Sequence, residues 1–275
     1  MLEVVGSPGV PVAIGARAPL LEPWDDVGWI HGDDGMGNTA QPEPAGQPSD
    51  EHAVEQLLRL SHEHAGALTV VAIGPLTNLA LALRLDPQLG GRLARLVVMG
   101  GSAGVGGNRG AWQEANIAVD PEAAAIVFEA DLRRTMVGLD VTMQTRLDDT
   151  DVATFAGSDD PAGHLAAQLL PHYLGVYEAT TGVRRCAMHD PLAVAVAARP
   201  ELVGTRSLPV RIETTGRFTR GMTVVDRRGA RAQRDQPAQP HTDVALEVDA
   251  DAFMQLLRTR LTTGPTRPER SLDHA

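Results

Sequence analysis

The stretch "ALTVVAIGPLTNLALALRL" at residues 67–85 decides the fold. Its first half, "ALTVVAIG", is a continuous apolar run, which is typical of a strand that is buried on both faces. Its second half, "PLTNLALALRL" at 75–85, begins with proline and has the apolar spacing of a helix. A buried strand followed at once by a helix indicates a parallel sheet that is covered by helices.

The same alternation continues along the chain. Apolar runs predict further strands at 10–15, 93–101, 134–142, 207–213, 221–226 and 243–249. Helical spacing predicts helices at 51–64, 121–130, 161–180, 191–198 and 250–261. We therefore predict an α/β fold with an open, mainly parallel sheet and helices on both faces. Residues 1–263 are predicted to form a single domain, residues 38–50 a loop, and residues 264–275 a disordered tail.

Composition excludes several classes of function. The net charge of −11 disfavours nucleic acid and anionic membranes as partners. All 24 basic residues are arginine, so Schiff-base chemistry and a Walker lysine are excluded. No apolar run reaches the ~18–20 residues that span a bilayer. The single cysteine, Cys186, and the lack of a signal-peptide pattern predict a cytoplasmic protein.

Three polar clusters follow predicted strands, where ligands bind in open α/β sheets. The first is "IGPLTN", which follows the strand at 67–74. The second begins with a glycine-rich stretch at 100–110, which is a poor dinucleotide fingerprint because Arg109 stands where a third glycine is needed. A flexible loop is the simpler interpretation of that stretch. The third cluster is the pair His189-Asp190.

Two of these clusters contain candidate binding residues. Glu114 and Asn116 are two positions apart, so an extended segment would point both side chains to one side, where they could bind a polyol; a solvated loop is the alternative. Asp190 before Pro191 predicts a helix N-cap with proline at the first helical position. The pair His189-Asp190 is therefore either functional or simply a packed histidine beside a capping aspartate.

Six motifs together resemble one family. "VVAIGPLTNLALAL", "VVMGGS", "EANIAVDPEAA", "GLDVT", "MHDPLAVA" and "TRGMTVVD" occur in this order. In this order they resemble the inosine-uridine preferring nucleoside hydrolases, over about residues 2–262. The resemblance implies hydrolysis of the N-glycosidic bond of ribonucleosides, which serves purine or pyrimidine salvage. It also implies a bound Ca²⁺ ion, a small-molecule nucleoside as partner, and a homo-oligomer, either a dimer or a tetramer.

The resemblance also implies roles for particular residues. Asp190 and the backbone carbonyl of Ile73 would bind calcium, and His189 would act as, or assist, the general acid for the departing base. The residues implied to bind substrate are Asn108, Glu114 and Asn116 at the ribose, with His31 near the sugar and base and Tyr177 near the base. Such roles suit these residue types, because calcium takes oxygen ligands and glycosidic cleavage passes through an oxocarbenium-like sugar.

One family motif is absent from the sequence. Members begin with a strand that ends in an aspartate cluster of the form D-x-D-x-x-x-D-D, which supplies further calcium ligands and the base for water. The nearest paired aspartates, Asp25 and Asp26, follow no apolar strand. We therefore expect the first strand and helix of the family to be missing and the calcium shell to be incomplete. Two explanations stay open, a misplaced start site or a degraded relative. The second makes a non-catalytic nucleoside- or sugar-binding protein the alternative to an enzyme.

Overall fold

The computed structural model describes residues 1–23, 28–228 and 240–263. Their strands are β1 Leu68–Ala72, β2 Leu93–Met99, β3 Arg134–Val137, β4 Arg146–Leu147, β5 Cys186–Ala187, β6 Val203–Ile212, β7 Thr223–Val225 and β8 His241–Val248. Their helices are α1 Gly28–His31, α2 Ala53–Glu63, α3 Thr77–Leu85, α4 Leu89–Arg92, α5 Ala115–Val119, α6 Pro121–Glu129, α7 Leu139–Thr142, α8 Asp149–Ala156, α9 Pro161–Thr181, α10 His189–Ala198 and α11 Ala250–Thr263. A short 3-10 helix, Pro200–Leu202, lies between α10 and β6.

Six of these strands form the central sheet, in the order β1-β2-β3-β8-β6-β7. Strands β1, β2, β3 and β8 pair in parallel, whereas β6 pairs antiparallel with both β8 and β7. The prediction of an open, mainly parallel sheet is therefore confirmed. Strands β4 and β5 form a separate antiparallel pair that the apolar runs did not predict.

Helices cover both faces of the sheet, as the side chains of β2 show. Leu96 and Val98 lie in one buried cluster with residues of α3 and α6. Val97 and Met99 lie in a second cluster with residues of α7 to α11. Because successive strand residues point to opposite faces, this alternation places an apolar core on each side of β2.

Two predicted strands are wrong, in whole or in part. Residues 10–15 make one isolated bridge, between Ala13 and Ser49, and their apolar side chains are exposed. A strand needs a ladder of partners, and no described residue provides one there. The predicted strand 134–142 ends at Val137, because Leu139 donates its backbone N–H to the carbonyl of Gly101 and begins α7.

The predicted helices at 51–64, 75–85, 121–130, 161–180 and 250–261 are confirmed as α2, α3, α6, α9 and α11. Asp120 caps α6 by accepting the N–H of Ala123 at 3.0 Å. None of the described helices is long and apolar enough to cross a membrane. The predicted tail at 264–275 and the pair Asp25-Asp26 lie outside the described residues, and a single domain over 1–263 stays a prediction.

Candidate active site

A cavity of about 410 Å³ lies where β1 and β2 end, between the loop after β2, helix α9 and the start of α10. Seven of the eight residues singled out in the sequence line it: His31, Ile73, Asn108, Glu114, Asn116, His189 and Asp190. The eighth, Tyr177, lies behind His189 and makes a hydrogen bond of 2.9 Å to its Nε2. Residues that are up to 159 positions apart in the sequence, from His31 to Asp190, therefore meet at one end of the sheet, as expected of a ligand site in this class of fold.

Glu114 organises the loop that follows β2. Its carboxylate accepts backbone N–H groups from Gly101, Asn116 and Ile117 at 3.0–3.1 Å, and it caps α5. The side chain is only 2% exposed, and burial raises its pKa against the opposing effect of those N–H groups. A carboxylate has about four acceptor positions, so about one is left for a ligand.

Asn116 lies in the first turn of α5, so the expected extended segment from 114 to 116 is wrong. Glu114 is extended but caps a helix, and this cap turns the chain before Asn116. The Nδ2 group of Asn116 donates to the carbonyl of Met99 at 3.1 Å and approaches that of Ile73 at 3.4 Å. Because two carbonyls fix the amino group, the Oδ1 atom is the part of the amide that is available to a ligand.

Asn108 is held by the loop that contains the glycine-rich stretch. Its Oδ1 accepts the N–H of Ala115 at 2.9 Å, which leaves its Nδ2 group as a donor. A Cβ atom at Gly107 would lie 2.2 Å from the carbonyl of Gln113, so a glycine is required for the turn. This stretch is a loop that positions Asn108, which agrees with the loop interpretation rather than with a dinucleotide fingerprint.

Asp190 is not the helix cap that the sequence predicted. Helix α10 begins at His189 with Met188 at the N-cap, so Asp190 lies inside the first turn. Pro191 is accommodated there because the first-turn N–H groups have no partner within the helix. No described residue donates a hydrogen bond to the Asp190 carboxylate or pairs with it. Burial raises its pKa from 3.8 to about 6.

Two oxygen groups of the kind that calcium takes as ligands line the cavity. Asp190 and the Ile73 carbonyl line the same cavity, but no group of three or more His, Cys, Asp or Glu side chains among the described residues could hold a metal. Calcium takes ~6–8 oxygen ligands. The described residues therefore do not form a complete calcium site by themselves.

His189 is almost fully buried and has a hydroxyl group at each ring nitrogen. Thr142 Oγ1 lies 2.7 Å from its Nδ1, and the Tyr177 hydroxyl lies 2.9 Å from its Nε2. Burial lowers the pKa of His189 to about 4. The imidazole is therefore neutral at pH 7 in this structure.

The sequence did not indicate two residues of this region. Tyr173 lines the cavity, stacks on His31 with ring centroids 6.0 Å apart, and meets Tyr177 edge-on at 5.1 Å. Its position, four residues before Tyr177 on one helix, is a signal that could have found it. Thr142 gave no such signal, because it lies 47 residues from His189 in a stretch that was predicted to be a strand.

A second cavity, of about 580 Å³, is lined by none of the predicted site residues. The guanidinium of Arg220, which lines it, already pairs with Glu22 and Glu122 at 2.6 Å. We therefore place the chemistry in the first cavity.

Comparisons with known proteins identify the family. The family model described as "Inosine-uridine preferring nucleoside hydrolase" matches residues 1–255. The chain is 38% identical to the pyrimidine-specific ribonucleoside hydrolase RihA of Enterobacter sp. (strain 638), over 95% of this chain and 82% of that protein.

Two solved structures are similar. The plant nucleoside hydrolase PpNRh1 has a TM-score of 0.89 and 31% identity, over 95% of this chain and 83% of that one. The purine-preferring ribonucleoside hydrolase from Gardnerella vaginalis has a TM-score of 0.86 and 34% identity, over 94% of this chain and 82% of that one.

These matches support an enzyme that hydrolyses the N-glycosidic bond of ribonucleosides, and nothing in them supports the non-catalytic alternative. The chain belongs to the inosine-uridine preferring nucleoside hydrolase family.

Proposed function

We propose that the enzyme binds its ribonucleoside in the 410 Å³ cavity, with the ribose against Asn108, Glu114 and Asn116 and the base toward His31 and Tyr173. The observation that carries this proposal is the cavity itself. It gathers polar groups with free hydrogen-bonding capacity on one side and stacked rings on the other.

The sugar side suits a polyol. Asn116 offers an acceptor, Asn108 a donor, and Glu114 about one acceptor position on a carboxylate that three N–H groups hold still. Vicinal hydroxyls both donate and accept, so they match this set. Groups held in place before the substrate arrives lower the barrier most where their contacts strengthen in the transition state.

The base side suits a flat heterocycle. His31, at the end of α1, stacks on Tyr173 of α9, and Tyr173 meets the ring of Tyr177 edge-on behind it. Burial and the neighbouring His172 lower the pKa of His31, so this side carries little positive charge at neutral pH. Neutral rings of this kind stack on purines and pyrimidines alike.

The reaction balances with water as the only co-reactant. The N-glycosidic bond breaks with its electron pair going to the base, a water oxygen bonds to the anomeric carbon, and the proton lost by that water ends on the base. His189, assisted by Tyr177, is proposed to transfer the proton to the base. Because burial lowers the pKa of His189 to about 4, the ring holds that proton only transiently.

We further propose that Asp190 and the Ile73 carbonyl contribute to a Ca²⁺ site. An unpaired, half-buried carboxylate is a poor arrangement for stability alone and is favourable beside a cation. A bound calcium ion would supply Lewis acidity toward water. Since the described residues do not complete the shell, no step is derived through the ion.

The test is release of ribose from inosine and uridine, with and without calcium. Asn116→Ala should depress turnover on every nucleoside by a similar factor, ~10²–10³-fold, because the contact is to the sugar. The matched control is Gln255→Ala, which removes an exposed amide on α11 and should leave turnover unchanged. If Asn116→Ala changes only the preference between purine and pyrimidine nucleosides, the sugar role is misassigned.

The oligomeric state, the location and the metabolic role of the enzyme are also proposals. The family implies a homo-oligomer, a dimer or tetramer. Two exposed aromatic residues, Trp112 and Phe218, support it. They are connected through Gln113, which follows Trp112 and whose side chain donates to the Phe218 carbonyl. Sedimentation as a monomer at micromolar concentration would contradict it. The cytoplasmic location rests on the single cysteine, and the role in nucleoside salvage rests on the family.

A further inference from the structure

The contact between Thr142 and His189 is the least expected part of this site. Thr142 is the last residue of α7, it is fully buried, and its Oγ1 lies 2.7 Å from His189 Nδ1. It does not line the cavity, so it does not touch a bound substrate there. Any effect it has on the reaction must therefore pass through the imidazole.

The imidazole has a hydroxyl partner at each nitrogen, and the two partners belong to different elements. Thr142 is the last residue of α7, whereas Tyr177, whose hydroxyl lies 2.9 Å from Nε2, belongs to α9. A hydroxyl can donate or accept, so this pair can satisfy the ring in either tautomer.

Among the described residues, Thr142 Oγ1 is the only hydrogen-bond partner of His189 Nδ1, at 2.7 Å. The same oxygen can accept Nδ1–H when Nε2 transiently gains a proton.

We propose that Thr142 is a positioning residue for His189, whose hydroxyl holds the imidazole at Nδ1 and keeps Nε2 directed to the Tyr177 side of the site. This inference rests on the role proposed above for His189 in protonating the base. In Thr142→Val the shape of the side chain is retained, but the buried Nδ1 loses its hydrogen-bond partner. The ring then gains by changing tautomer or rotating, and either change misdirects Nε2.

The decisive experiment compares two leaving groups. Inosine and uridine need a proton on the departing base, whereas p-nitrophenyl β-D-ribofuranoside releases a stable anion. We expect Thr142→Val to lower kcat for inosine and uridine by about 10–100-fold with little change in KM. With the nitrophenyl riboside, kcat of Thr142→Val should stay within about threefold of wild type, because this leaving group needs no proton. Thr142→Ser keeps the hydroxyl, so its kcat should stay within about threefold of wild type with every substrate.

A matched control and a second variant separate the possible outcomes. Thr242→Val makes the same change at another fully buried threonine, whose hydroxyl has no partner and which lies on β8 away from His189, and it should leave kcat unchanged. If Thr142→Val slows both kinds of substrate equally, or slows neither, the positioning role is wrong. If His189→Ala shows no dependence on the leaving group, the proposed role of His189 fails and this inference fails with it.

A direct measurement covers the case in which Thr142→Val does not fold. Long-range ¹H–¹⁵N correlation spectra of the wild-type enzyme report which ring nitrogen of His189 carries the proton. We expect the proton to reside on one ring nitrogen only at neutral pH, because a ring bonded at both nitrogens is held in one state. A mixture of the two tautomers would overturn the inference without any activity measurement.

Discussion

Replacing Asp190 by asparagine should stabilise the metal-free protein. Burial raises the pKa of this carboxyl from 3.8 to about 6, and no described residue compensates its charge. About two pKa units at 1.36 kcal/mol each correspond to roughly 3 kcal/mol. Water that enters the cavity reduces this value, so we expect Asp190→Asn to gain about 2–3 kcal/mol at pH 8.

The sign of the pH dependence follows from the direction of the shift. Between pH 3.8 and about 6 the folded protein still holds a proton that the unfolded chain has released. The stability of wild type therefore falls as pH rises through this window, and the deficit is complete above it. Asparagine mimics the protonated acid at every pH, so the difference between the two proteins should vanish near pH 4.

Urea denaturation in EGTA at pH 4 and pH 8 measures this difference. The control is Asp159→Asn, at an exposed carboxylate, which should change stability by no more than about 0.5 kcal/mol. Adding calcium should stabilise wild type and leave Asp190→Asn unaffected, because a ligand stabilises only the state that binds it. A variant less stable than wild type in EGTA at pH 8, or a gain independent of pH, would refute the reasoning.

Four further predictions concern residues outside the reacting centre. Cys186 is buried, which raises the pKa of its thiol to about 11, so Ellman's reagent at pH 8 should label it only after denaturation. Thr242→Val should raise the free energy of unfolding by about 1 kcal/mol, because the buried hydroxyl has no partner; no gain in urea melts would contradict this. Arg258→Ala should lower the free energy of unfolding by about 1–3 kcal/mol, because it removes the ion-pair partner that lies 2.5 Å from the buried Asp151 carboxylate. Arg258→Met should not restore this loss. Asp120→Asn should lower the free energy of unfolding in urea by about 2–4 kcal/mol. The ratio of kcat for inosine to kcat for the nitrophenyl riboside should stay unchanged.

The fold was largely predictable because its strands are buried on both faces. Continuous apolar runs such as 93–101 are typical of strands that are buried on both faces, and they predicted β1 and β2 well. The run at 10–15 has the same composition but failed, since a strand also requires a partner, and pairing over long sequence distances leaves no local signal.

The site was predictable only where its chemistry is carried by a motif. The family motifs identified Glu114, Asn116 and the pair His189-Asp190, and the structure brings them together. The local rule that made Asp190 a cap was wrong because α10 already begins at His189, with Met188 at the N-cap. Thr142 was missed for a related reason, since its partner lies 47 residues away and becomes a neighbour only after folding.

Glu114, Asp120 and Asp190, three buried or half-buried carboxylates at this end of the sheet, show how structural and functional acids can be distinguished. Glu114 accepts three N–H groups, and Asp120 accepts the N–H of Ala123, the N–H of Leu20 and the hydroxyl of Thr77 at 2.6–3.0 Å. Asp190 accepts none among the described residues.

Satisfied carboxylates stabilise the loops that carry the site, whereas a half-buried carboxylate without a donor costs stability and becomes favourable beside a bound cation. Neutralising Asp120 and neutralising Asp190 should therefore change stability in opposite directions. Only the change in stability at Asp190 should depend on the calcium concentration.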